Sequence, residues 1–597
     1  MNTERYELAT KAFKDQRYQE SLQQIEQFKK ENSIETMLSH SYEYAFFEML
    51  VNYHLGLKGD KSHFKIVTAL GESYLALNRI DMAKSSELLK QQSFTILTLM
   101  GESFSHLANL GSAIKAYEYA VNLDPDKKNR VIWFKLFVMY AKCMKSVAAR
   151  ELADELSSWQ EFTVPILFCL LDLSILEQNR VSALKEIQLI KEKFELLGEE
   201  HLYRFIDKVV YISEFDLAEE LIHRASKGKE LSISFSLWLA AISFSRKEYG
   251  KVIEIIELAG QMNSRKGAHL LGRAYEKLGE FDKAFSAYSV SAEQQESDAR
   301  SLLKTDQGKN FTELYKHINL ADLHQKNLNY KEDVKVSLNT PVFLIGFPRS
   351  GTTLLDTILD TQSGLEILSE RPSVLSVCDY METVLGKRYP QDIVTLSAAE
   401  LDELRNTYFE TVKQYSLSEN KGEVGVRIIL DKMPLNTLHI PIILSLFPDA
   451  KFIFSVRHPM DCVLSNFQQN FKYSHEISFL STLDGCTERY KEVLHHFERC
   501  QQEYDLDIHF VKYESLVSNF EEETKKVFEF IGLKEVDDSY LEFNRKAEDK
   551  IFNTASKDQV TQAMYSSSTY KWKSYEKHLP MQLKTLDYFI NKFGYQV

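Results

Sequence analysis

Proline and glycine are scarce in this 597-residue chain, at 11 and 22 residues, which excludes collagen-like and long low-complexity tracts and favours helix. The six cysteines, at positions 143, 169, 378, 462, 486 and 500, contain no Cys-x-x-Cys pair. Neither a zinc ribbon nor a disulfide framework is suggested, and a reducing compartment fits. Basic charge is not in excess: 86 acidic against 72 basic residues give a net charge of -14. That disfavours non-specific binding to nucleic acid or to an anionic membrane and confines any phosphate site to a local pocket. Long apolar runs are missing too, since the longest, residues 164–176, is interrupted by Asp172 and is too short to span a bilayer. The start, Met1-Asn2-Thr3-Glu4-Arg5-Tyr6, lacks the basic-then-apolar order of a secretory signal, so a cytoplasmic location is expected.

What the first half does have is a repeat. Gly101, Phe104, Ala108, Leu110, Ala113, Tyr117, Ala120 and Pro125 occupy positions whose pattern returns at Gly272, Tyr275, Gly279, Phe281, Ala284 and Tyr288, and more weakly at Ala9, Ala12, Tyr18 and Ser21. The small residues Ala83, Ala113, Ala149, Ala183, Ala218, Val252 and Ala284 recur at intervals of 30 to 36 residues. This spacing resembles the tetratricopeptide repeat of about 34 residues, in which small positions let two helices approach closely. The resemblance implies an α-solenoid of eight or nine helical hairpins over residues 1–296, with a concave face that either holds a peptide or braces or dimerises the rest of the chain.

Residues 297–340 read as a helical linker, ended by Pro341. Beyond it the texture changes to short apolar runs, 342–347, 451–456 and 508–513, separated by helical stretches. Buried strands joined by crossover helices predict an α/β domain with a parallel sheet over residues 341–597, binding its ligand at the strands' carboxyl ends. The first run leads into Gly346-Phe347-Pro348-Arg349-Ser350-Gly351-Thr352-Thr353, with the Gly-x-x-x-x-Gly spacing of a phosphate loop. Thr352 stands where a triphosphatase loop requires lysine, and the cation is Arg349, inside the loop.

Pro341 to Thr353 resembles the 5′-phosphosulfate loop of sulfotransferases, particularly the bacterial repeat-containing family similar to tyrosylprotein sulfotransferases. The resemblance implies a metal-free transfer from PAPS to an acceptor hydroxyl, leaving adenosine 3′,5′-bisphosphate. Arg349, Ser350, Gly351, Thr352 and Thr353 would then hold the 5′-phosphosulfate. Arg457 in Ser455-Val456-Arg457-His458-Pro459, with Ser465 eight residues on, matches the 3′-phosphate site. Glu370 in Ser369-Glu370-Arg371-Pro372 takes the part of general base, with Glu366 as its competitor. Lys432 in Asp431-Lys432-Met433-Pro434 corresponds to the lysine at the bridging oxygen, Tyr513 to a residue near the adenosine, and Ser556 to a hydrogen-bond donor in the closing segment. Arg349, Glu370, Lys432 and Ser556 are thus the catalytic candidates. Two departures stand out: His458, where an acidic residue is common, and Thr561 with Gln562, where a basic one is usual.

Tyrosine in a peptide or protein, held by the repeats, is the favoured acceptor. A carbohydrate or small alcohol, a nucleotide kinase or triphosphatase chemistry, and an inactive scaffold stay open as alternatives, as does a homodimer.

Overall fold

A computed structural model describes residues 4–31, 41–59, 62–77, 87–107, 110–226, 232–303, 314–333, 340–415, 428–471, 480–548 and 568–596. The chain divides into two compact units, Met1–Leu176 with Ser182–Lys193, and Phe194–Val597 with Glu177–Val181.

The first half is helical hairpins, as the repeat predicts. Glu4–Lys14 pairs with Tyr18–Glu31, Ser41–Leu57 with Ser62–Leu77, Glu87–His106 with Leu110–Asn122, and Arg130–Lys142 with Ser146–Leu156; Thr163–Leu176 and Arg180–Glu192 follow. In the second unit Glu199–Tyr211 pairs with Phe215–Ser226, Ile233–Ser245 with Tyr249–Leu258, and Arg265–Lys277 with Phe281–Leu303. The small positions work as packing points: Ala113, Ala149, Ala183, Ala218, Val252 and Ala284 are each 0% exposed. A Cβ at Gly101 would lie 2.6 Å from the Tyr117 ring, and one at Gly272 would lie 2.7 Å from Tyr288, so these glycines admit the aromatic ring of the facing helix. Ala83 and Ala108 lie outside the described residues.

The second unit contains a five-stranded parallel sheet: β1 (Val342–Gly346), β2 (Leu365–Ser369), β3 (Ile428–Lys432), β4 (Lys451–Val456) and β5 (Asp507–Lys512), in the order β2-β3-β1-β4-β5. All five residues of β1 are buried because both faces are covered. Val342 and Leu344 join Leu355, Ile358, Leu430 and Ile453 on one face, and Phe343 and Ile345 join Phe452, Phe454 and Val463 on the other. β2 is the strand that the sequence reading missed. Its Leu-Glu-Ile-Leu-Ser run is short and mixed because it is an edge strand, with only Leu365 and Leu368 buried.

The core on the β1 Phe343 face does not stop at the sheet. Ala284, Tyr288 and Ala292 of the last hairpin, then Tyr315, Ile318, Leu320 and Leu323, belong to the same cluster of buried side chains. Hydrogen bonds follow the same path: Glu276 accepts from the Tyr575 hydroxyl (2.7 Å) and from Gln468 (3.0 Å), and it pairs with Lys571 at 2.6 Å. Within this unit the last repeat hairpin is therefore part of one folding core with the sheet. Among the described residues no helix is long and apolar enough to cross a membrane.

Candidate active site

β1 ends at Gly346 and the chain turns through the glycine loop into the helix Thr352–Leu359. Gly351 sits at φ 105°, and a Cβ there would meet the Tyr513 ring at 2.7 Å, so the turn admits only glycine without displacing that ring. Among the described residues no side chain caps the helix, and its first amides are suited to an anionic acceptor.

Every carbonyl of the loop is already satisfied. Gly346 O accepts from the Thr437 hydroxyl at 2.9 Å, Phe347 O from the Ser350 amide at 3.1 Å, and Pro348 O from Asn466 Nδ2 at 2.8 Å. Arg349 O accepts from Arg457 Nη1 at 3.1 Å, Ser350 O from the Ser455 hydroxyl at 2.9 Å, and Gly351 O from the Leu355 amide at 3.1 Å. With its acceptors tied back within the loop and to Thr437, Asn466, Arg457 and Ser455, the loop is suited to an anion. Two buried donors beside it, the Ser350 hydroxyl and Arg457 Nε, have no partner among the described residues. Orphaned donors of this kind are costly unless a ligand meets them, and both would serve phosphate oxygens. The residues present therefore fit an anionic, phosphate-bearing group.

Arg457, at the end of β4, is only 5% exposed. Its guanidinium donates to Ser568 O at 2.5 Å and lies 4.8 Å from the Tyr513 ring centroid. A surface ion pair with Asp461 is not what holds it, because Asp461 accepts from the amides of Tyr570 (2.7 Å) and Trp572 (2.9 Å). Burial opposes the Arg457 charge, but Asp461, Cys462, Tyr513 and Glu514 nearby outweigh it and raise its pKa. Ser465, on the helix Pro459–Phe467, meets Arg349 instead of Arg457, accepting from Arg349 Nε at 3.1 Å. His458 caps that helix through Nδ1 and stacks on Trp572, and burial lowers its pKa to about 4, so it is a neutral packing residue.

On the other side of β1, the alternation of β3 sends Asp431 and Lys432 to opposite faces. Asp431 is fully buried and accepts from the Ser373 and Tyr408 hydroxyls, and burial pushes its pKa up to about 6. Lys432, also 0% exposed, reaches Glu370 Oε1 at 2.8 Å and Asp356 Oδ2 at 3.0 Å. Burial works against its charge, and the two carboxylates more than reverse it, leaving its pKa above the ordinary lysine value. Lys432 is thus no surface partner of Asp431.

Glu370 follows β2, its amide bonded to Lys432 O at 2.7 Å, with φ 52°. Arg349 likewise has φ 70°. Left-handed backbone at two non-glycine residues costs of order 1–3 kcal/mol each and clusters where side chains must be aimed. The structure thus brings Glu370 and Lys432 together on one side of the loop, and Arg349, Ser465, Arg457 and Tyr513 on the other. Ser350, Thr352 and Thr353, all buried, lie between. Ser556, Thr561 and Gln562 lie outside the described residues.

Three site residues escaped the sequence reading. Asp356 was hidden within Leu354-Leu355-Asp356-Thr357-Ile358, where a lone acid on an apolar helix was the available signal. Thr437 and the bracing role of Asn466 left none, since each acts on a carbonyl far away in sequence.

Comparison with known proteins gives the same picture. A sequence model described as Sulfotransferase family matches residues 341–538. An uncharacterized protein of Aquifex aeolicus (strain VF5) is 30% identical over 258 residues, covering 41% of this chain and 32% of the relative. Protein-tyrosine sulfotransferase of Drosophila melanogaster is 26% identical over 219 residues, covering 36% of this chain and 41% of the relative. The chain thus spans well under half the length of these two relatives. The sulfotransferase domain from the Synechococcus PCC 7002 olefin synthase aligns over 44% of this chain and 98% of its own, at 18% identity and a TM-score of 0.32. With the loop, the parallel sheet and the hairpins described above, residues 341–538 form a domain of the sulfotransferase family, carried behind helical repeats of the tetratricopeptide type.

Proposed function

We propose that this protein transfers a sulfuryl group from PAPS to a hydroxyl acceptor, with tyrosine in a peptide or protein as the acceptor. The observation that carries the reading is the braced loop with its unpartnered buried donors, Ser350 Oγ within it and Arg457 Nε beside it over the Tyr513 ring, because they offer hydrogen bonds to phosphate oxygens. Ser350, Gly351, Thr352 and Thr353 would hold the 5′-phosphosulfate through backbone amides and hydroxyls, aided by Arg349. Arg457 would hold the 3′-phosphate, with Ser465 close by on the following helix; Tyr513 would lie near the adenosine, and Ser556 would donate to the bound nucleotide. The donor supplies a sulfuryl group whose bond to the 5′-phosphate breaks as the acceptor oxygen bonds to sulfur.

The chain's own part is to move one proton and to meet one developing charge. Glu370, 39% exposed at its side chain, is the group open to an incoming hydroxyl and takes its proton. Lys432, buried and cationic, offsets negative charge on the leaving phosphate oxygen. The tyrosine acceptor rests on similarity to the Drosophila protein-tyrosine sulfotransferase. We assign residues 1–296 to the repeats, 297–340 to the linker and 341–597 to the transferase. The repeats would hold the acceptor peptide; the contacts of Glu276 with Lys571, Tyr575 and Gln468 favour a bracing role for the last hairpin as well.

Labelled PAPS offered with either a tyrosine peptide or a small phenol tests the acceptor. The expected result is at least about tenfold higher kcat/KM for the peptide, a difference of about 1.4 kcal/mol. A phenol or sugar alcohol turned over as well as the peptide overturns the tyrosine assignment.

A further inference from the structure

We propose that Asp356 is a positioning residue of the transfer site, the fixed counter-charge of Lys432 that lets Glu370 accept the acceptor's proton. The inference rests on the functional reading above and adds to it a residue that touches neither donor nor acceptor.

Asp356 lies one turn into the helix that leaves the glycine loop and is 5% exposed. Its Oδ2 is 3.0 Å from Lys432 Nζ and accepts from the Ser369 hydroxyl at 2.7 Å, while Oδ1 receives a longer bond, 3.3 Å, from Thr357. The carboxylate is therefore held by the loop helix, β2 and β3 together. Lys432 has no solvent access at all, whereas Glu370 stands at the open edge with 39% of its side chain exposed. Of the two acids on this lysine, one is locked in the protein and the other faces outward.

The charge arithmetic explains why two are needed. With Glu370 alone, Lys432 and Glu370 would form a neutral pair, and protonating Glu370 would strand a buried ammonium without a counter-ion, which is strongly unfavourable. With Asp356 present, the cluster carries one net negative charge before the step and none after it. As the acceptor O–H bond breaks, its proton goes to Glu370; the oxygen's electron pair forms the bond to sulfur, and the bond from sulfur to the 5′-phosphate oxygen breaks. Lys432 stays a cation throughout, paired with Asp356, and can turn towards the leaving oxygen. Among the described residues, charged groups near this cluster include Arg371, beside Glu370 with its guanidinium over the Tyr415 ring, and Asp431, on the opposite face of β3 with Ser373 and Tyr408. Neither is hydrogen-bonded to Lys432.

The test uses the full chain with Asp356→Asn, Asp356→Glu and, as a second neutral variant should asparagine disturb the fold, Asp356→Ser. Transfer from PAPS is followed as kcat/KM and kcat from about pH 5 to about pH 9, and affinity for adenosine 3′,5′-bisphosphate is measured in parallel as a readout of folding. The expected result for the neutral variants is a loss of about tenfold or more in kcat at neutral pH. Bisphosphate affinity stays within about threefold, and the acid limb of the profile moves to lower pH by roughly half a unit or more, because a negative neighbour of the base has gone. Asp356→Glu, which keeps the charge, recovers most of the rate and the wild-type limb. An acid limb unchanged in the neutral variants, or equal losses in Asp356→Glu and Asp356→Asn, overturns the inference alone. A wild-type chain that binds no bisphosphate and transfers nothing from PAPS overturns the functional reading beneath it.

Discussion

Replacing Lys432 by methionine is expected to lower sulfuryl transfer by about 10²- to 10³-fold, the usual loss when a preplaced group that stabilises transition-state charge is removed. The effect should fall on kcat and leave affinity for adenosine 3′,5′-bisphosphate nearly unchanged, since Arg457 and Ser465 follow β4, across β1 from β3. A stability loss accompanies it. Methionine fills the volume but leaves Asp356, 5% exposed, without its cation, and breaking a buried pair in this way costs about 3–5 kcal/mol. The double variant with Asp356→Asn should regain much of the stability and none of the rate. Transfer within tenfold of wild type in Lys432→Met would remove the lysine from the mechanism.

The second large effect concerns where the transferase half can be cut. A fragment of residues 340–597 is expected not to fold cooperatively, whereas residues 194–597 should. The last hairpin stacks Phe285 on His578 at 4.2 Å and sets Phe281 against Tyr575 at 5.3 Å, and Glu276 neutralises Lys571. Deleting it exposes several large apolar side chains, each contributing about 1.5–3 kcal/mol, and leaves the partly buried Lys571 without its acid. Domains have only about 5–15 kcal/mol to lose. Thermal unfolding of the two fragments by circular dichroism decides the matter; a cooperative transition for 340–597 within a few degrees of that for 194–597 contradicts this reading of the core.

How much of this was legible in the sequence follows from the range of each interaction. The hairpins were readable because Ala113, Tyr117, Gly272 and Tyr288 repeat a local packing rule, and their burial bears that out. The strands at 342–346 and 451–456 were readable as apolar runs, since strands inside a parallel sheet covered on both faces need them, and 507–512, at the sheet's other edge, was readable by Ile508, Phe510 and Val511. β2 was not, because its Leu365-Glu366-Ile367-Leu368-Ser369 has neither a clean run nor a clean alternation. The loop announced itself by its glycines, but the bracing of its carbonyls by Thr437, Ser455 and Asn466 spans 91, 105 and 118 residues, and no local pattern records that. Asp356 was overlooked for a different reason. A single acid in an apolar helix resembles a surface residue until Lys432, from a strand 76 positions away, is seen to need it.

The central claim, that the site takes a nucleotide with both a 3′-phosphate and a 5′-terminal anion, is tested most directly by titration calorimetry of the full chain with adenosine 3′,5′-bisphosphate and with ATP, repeated on Arg457→Ala. The account predicts a clear preference for the bisphosphate in the wild type. In the variant it predicts a bisphosphate affinity weaker by about 1.5–3 kcal/mol, roughly 10- to 150-fold, with binding of ATP nearly unchanged. Equal affinity for the two nucleotides, or an equal loss for both on removing Arg457, would contradict it.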